Sequence, residues 1–167
     1  DTPWNIWAAE YVPGSGWGAA VEIDGANTGN STNPVLAAGD VATFAVWRSY
    51  SGSTYDVKAA RYTSAGGWEA PTTLDTQSGS ATGMLVETDA AGNAVVTWRQ
   101  DGAGTTTDHS WAAVYTNGVG WGTTTQLSSG SVTAQSQHLA ISGGKAVVVW
   151  HEYVSPNYTA KASHYDA

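Results

Sequence analysis

Apolar residues in this chain come in short runs, each ended by a turn rich in Gly, Asp, Asn or Ser. The run at 41–50, Val-Ala-Thr-Phe-Ala-Val-Trp-Arg-Ser-Tyr, is apolar on both faces of an extended strand. Phe44 and Val46 point one way, Ala45 and Trp47 the other. The pattern returns with Val95 against Val96 and Trp98, and with Val147 and Val149 against Val148 and Trp150. Strands buried on both faces belong in stacked sheets. No useful length of sequence carries helical periodicity.

Shorter runs flank each central strand. The first full unit predicts strands at 35–38, 41–50, 54–63 and 67–74, and the next at 85–88, 94–100, 110–116 and 120–127. A third predicts strands at 139–142, 145–152 and 158–165. The N-terminal part begins mid-unit, with strands at 6–12 and 17–23.

The units repeat a phrase. Ala8-Ala9-Glu10-Tyr11 followed by Gly16-Trp17 returns as Ala59-Ala60-Arg61-Tyr62 with Gly67-Trp68, and as Ala112-Ala113-Val114-Tyr115 with Gly120-Trp121. Ala162-Ser163-His164-Tyr165 is a truncated copy. A period of about fifty residues signals a propeller or a solenoid. The domain reading is one partial β-propeller domain over 1–167, with units near 1–23, 33–75, 83–127 and 138–167. Identity between units marks Trp47, Trp98 and Trp150, the Gly-Trp set, and Tyr11, Tyr62, Tyr115 and Tyr165 as architecture.

At Asp89-Ala90-Ala91-Gly92-Asn93-Ala94-Val95-Val96-Thr97-Trp98-Arg99-Gln100 the chain resembles bacterial secreted β-propeller repeats. The resemblance covers nearly the whole chain. It implies an all-β fold of four-stranded antiparallel blades, about three to a chain. Three blades cannot close a ring, since propellers have about four to eight. The expectation is closure by oligomerisation, with the 17–23 strand of one chain completing the 138–167 unit of another and six blades in a homodimer; the alternatives are a piece of a longer repeat array and an eight-bladed dimer. The strand at 6–12 has no place in the six-blade count. More loosely, the Trp-rich repeats look like propeller lectins, which implies sugar pockets between adjacent blades.

Composition narrows the partners. The formal charge is −8, with six Lys plus Arg in 167 residues. That excludes the clustered cations that nucleic acid demands. No apolar run approaches the roughly 18 residues of a membrane span, so membrane insertion is not expected. With no cysteine, disulfides and thiolate metal sites are impossible. Few charges and much Thr, Ser, Gly, Asn and Trp suggest a secreted or cell-surface bacterial protein.

Chemistry is expected where the units differ, on the rim carrying the loops after strands two and four, at 24–33, 75–82 and 128–137. The candidate ligand-binding residues there are Trp47, Arg48, Trp98, Arg99, Trp150, His151 and Glu152. An indole offers an apolar face to a sugar ring, and guanidinium or carboxylate groups pair with its hydroxyls. The first functional reading is a non-catalytic carbohydrate-binding module. The second is a structural or protein-interaction module, and a glycosidase comes third. Exposure of Trp7, Trp47, Trp98, Trp111 and Trp150 separates the first two. His109, His138, His151 and His164 lack metal-motif spacing. No catalytic-nucleophile or phosphate-loop motif is present, so neither catalysis nor a cofactor is expected.

Overall fold

The computed structural model describes residues 3–25, 29–75, 77–101, 107–130 and 132–166. These residues form antiparallel sheets, with no helix among them. The rim loops expected at 24–33, 75–82 and 128–137 lie partly outside the described residues.

The chain begins with two short ribbons. β1 (Trp7–Ala8) pairs with β4 (Val21–Glu22), and β2 (Tyr11–Val12) pairs with β3 (Gly16–Trp17). The first full sheet follows, with β5 (Ser31–Ala38), β6 (Thr43–Tyr50), β7 (Tyr55–Thr63), β8 (Gly67–Trp68) and β9 (Thr72–Thr73). The second sheet repeats it with β10 (Thr82–Thr88), β11 (Ala94–Asp101), β12 (Asp108–Thr116), β13 (Gly120–Trp121) and β14 (Thr125–Gln126). The third holds β15 (Ala134–Ser142), β16 (Lys145–Val154) and β17 (Asn157–Asp166).

Register fixes the equivalences. Trp47 lies opposite Lys58, Trp98 opposite Trp111, and Trp150 opposite Lys161. Tyr62 pairs with Trp68, Tyr115 with Trp121, and Tyr11 with Trp17. Their rings meet at 5.4, 5.4 and 5.5 Å between centroids. The ribbons are therefore strands three and four of a unit, ending in the same aromatic clasp.

Two expectations on strand limits change. Strand one is longer than its apolar run, because a bulge sits inside it in every sheet. Asn33, Gly83 and Ser136 occupy the same bulge position with φ of 55°, 61° and 51°. That left-handed turn breaks the alternation, and Asn33-Pro34 reads as a loop although it lies within β5. Strand four, expected as one run, is two short pieces that both pair with strand three.

The sheets stack face to face in chain order. β10 lies against β5 and β6, and β15 lies against β10, β11 and β12. Phe44, Val46, Val57 and Ala59 from the first sheet interlock with Met84, Val86, Val96 and Trp98 from the second. Ile6 and Ile23 of the ribbon cover Ala45, Trp47 and Ala60 on the opposite face of the first sheet. Leu127 of the second sheet meets Val148 and Trp150 of the third. β6 and β11 are buried on both faces, as the pattern implies. β16 is buried on one face only, and Val147 and Val149 stand exposed on the other. The difference is positional, since no described sheet follows the third.

Candidate functional site

The seven candidates lie in the C-terminal halves of the second strands β6, β11 and β16, held there by the stacking just described. Alternation along β6, β11 and β16 turns each tryptophan to one face of its sheet and the next residue to the other. Trp47 and Trp98 are completely buried and Trp150 is 6 % exposed. None of the three indoles presents a face to solvent for a sugar ring. Trp111 is buried as well, while Trp7 is exposed.

The buried indole of the second sheet belongs to a polar chain. Trp98 Nε1–H donates to Gln100 Oε1 at 2.9 Å, and Gln100 Nε2 donates to Asp75 Oδ2 at 2.8 Å and to the Gly79 carbonyl at 2.6 Å. Burial pushes the Asp75 carboxyl up to about 6; the Gln100 bond opposes the shift and the nearby Asp56 charge adds to it. In the third sheet Glu152 stands at the Gln100 position and accepts from Trp150 Nε1–H at 3.0 Å. Ser128 holds the Asp75 position there, at the same end of strand four. In the first sheet the pair is Ser49 and Asp24. Asp24 is buried, and neither its carboxylate oxygens nor Trp47 Nε1 has a hydrogen-bond partner among the described residues. Each unit thus keeps one carboxylate in this layer, moved between two positions.

Arg48, Arg99 and His151, on the opposite face from the tryptophans, make contacts within their own sheets. Arg48 Nε donates to Thr32 Oγ1 at 3.0 Å, and its guanidinium lies 4.4 Å from the centroid of the Tyr55 ring. Tyr50 and Tyr55, opposite one another in register, meet at 5.2 Å. Arg99 Nη1 lies 3.7 Å from Asp108 Oδ2. His151 packs edge-on to Tyr158 at 4.9 Å, and Tyr153 meets Tyr158 at 5.0 Å. The tyrosine pairs of the first and third sheets match the Asp101–Asp108 pair of the second. The seven candidates fall into three separate groups, one on each full sheet, with the three tryptophans buried.

The cavities lie elsewhere. One of about 450 Å³ opens between the ribbon and the first sheet, and one of about 300 Å³ between the second and third sheets. None of the seven candidates lines either. Among the described residues no group of three or more His, Asp or Glu is placed to hold a metal ion.

Comparison of the sequence with models of known families and with curated proteins finds no match. The site is therefore read from its geometry. Asp24, Asp75 and Ser128 open the three loops expected on the rim, but they stood outside the seven candidates. Their signal was available, as Ile23-Asp24, Leu74-Asp75 and Leu127-Ser128 close strand four in successive units.

Proposed function

We propose that this chain is a non-catalytic repeat module of the β-propeller kind, structural or protein-binding in role, whose sheets act as blades. In this reading it is a secreted or cell-surface protein whose ring is completed by association of chains. The observation that carries it is the burial of Trp47, Trp98 and Trp150 between sheets. Residues repeated in every unit and closed off from solvent wedge neighbouring blades together. Exposed apolar side chains stand at both ends of the stack, Trp7 and Leu36 at one and Val147 and Val149 at the other. Such patches mark interaction sites.

A second reading, carbohydrate binding, keeps one support. Arg48 with Tyr50 and Tyr55, and His151 with Tyr153 and Tyr158, are aromatic and polar groups at the rim. Screening the chain against an array of glycans decides between the two. The module reading expects no saturable binding. Binding that Tyr158→Ala or Arg48→Ala abolishes, with folding intact, would replace it by the carbohydrate reading.

A further inference from the structure

The ribbon holds strands three and four, and the inner edge of its strand three has no partner among the described residues. In the full sheets the corresponding edges of β7 and β12 pair with β6 and β11. β16 offers that kind of edge, but β17 occupies it. Every residue of β17 except Ser163 is exposed, whereas the equivalent β12 is buried over most of its length.

β17 pairs with β16 along its whole length, yet it leaves the face toward the second sheet open. The cavity of about 300 Å³ lies between it and the second sheet, lined by Val114, Leu127, Val148, Ser163 and Tyr165 among others. Lys161 stands where β12 has Trp111, a buried indole whose Nε1–H donates to the Gln100 carbonyl at 3.2 Å. The ribbon carries the better match, with Trp7-Ala8-Ala9-Glu10-Tyr11 against Trp111-Ala112-Ala113-Val114-Tyr115. Trp7 is exposed where its counterpart is buried. The faces agree with the edges. Leu36 is 61 % exposed, while Val86, its equivalent, is 7 % exposed beneath the preceding sheet. Val147 and Val149 are exposed where Val95 and Thr97 are covered by the following sheet. Within the chain, what covers such a face is another sheet of the same repeat.

We infer that two copies of this chain associate by strand exchange, the Trp7–Tyr11 segment of each replacing β17 beside β16 of the other. This rests on reading the sheets as blades. The register follows from β11 and β12: Trp7 opposite Trp150, Ala8 opposite Val149, Ala9 opposite Val148, Glu10 opposite Val147 and Tyr11 opposite Ala146. The Trp7 ring enters beside the cavity that β17 leaves underfilled. Val147 and Val149 of one copy cover Leu36 of the other. The contact is reciprocal, so it closes on a pair. The redundant strand is then β17 and not the strand at 6–12.

The chain has no native cysteine, so introduced pairs are its only thiols. Val149→Cys with Ala162→Cys locks β17 in place, since these residues are register partners. Light scattering should find this variant monomeric when oxidised and dimeric when reduced, the reduced form serving as the folding control. Mixing chains carrying Ala8→Cys with chains carrying Val149→Cys should give an inter-chain cross-link on oxidation. A native chain that stays monomeric overturns both the exchange and the ring-closure reading. A dimer that persists in the oxidised lock, or a native dimer without the Ala8–Val149 cross-link, overturns the exchange and leaves ring closure standing.

Discussion

Asp89 accepts a hydrogen bond from the backbone N–H of Gly144 at 2.8 Å, across 55 residues of chain. The same carboxylate accepts from the Ala91 and Asn93 N–H groups at 3.0 and 2.9 Å, and from Asn93 Nδ2 at 3.0 Å. It folds its own turn and clamps that turn to the turn between β15 and β16. Asp89→Ala strands several donors and should cost about 2–3 kcal/mol, read by urea unfolding.

The same carboxylate sets an acid limit. Burial alone would raise its pKa, but the bonds from Asn93, Gly144 and Ala91 outweigh it and hold the carboxyl below the usual value. Its contribution is therefore complete above the ordinary carboxyl value of 3.8 and lost as pH falls through the lowered one. Native Asp89 should show a loss of stability in strong acid that Asp89→Asn lacks. Equal acid slopes in the two proteins would contradict this.

Asp75 has the opposite sign. Its carboxyl is raised from 3.8 to about 6, so the folded chain holds this proton to higher pH than the unfolded chain does. The stability it contributes is complete below 3.8 and is lost as pH rises toward about 6. Asp75→Asn should flatten that part of the melting-temperature profile while keeping a partner for Gln100.

Much of the fold is legible in the sequence, because two-residue alternation and the Tyr and Trp clasp report local chemistry. The left-handed bulge at Asn33, Gly83 and Ser136 hides the first half of each first strand. The rim tryptophans mislead for another reason. Arg48 and Arg99 follow them in sequence, yet a strand turns successive residues to opposite faces, so a polar neighbour says nothing of indole exposure. The Trp98–Gln100–Asp75 chain joins residues 25 apart and emerges only when units are aligned.

That alignment makes position 49 testable. Ser49→Gln gives Trp47 and Asp24 the carboxamide that Gln100 gives Trp98 and Asp75. The gain should be about 1 kcal/mol, the usual net worth of a buried hydrogen bond. The reverse change, Gln100→Ser, should cost about 2 kcal/mol by leaving the indole and the carboxylate without it. Two losses of similar size would show that the two layers are not equivalent.

The central claim is that this chain is a set of blades that completes itself with its own kind. The mass of the unmodified chain in solution, measured by light scattering through a dilution series, tests it most directly. The mass should be about twice the 17.3 kDa of one chain, falling toward that value on dilution. A constant mass of one chain at every concentration would contradict it.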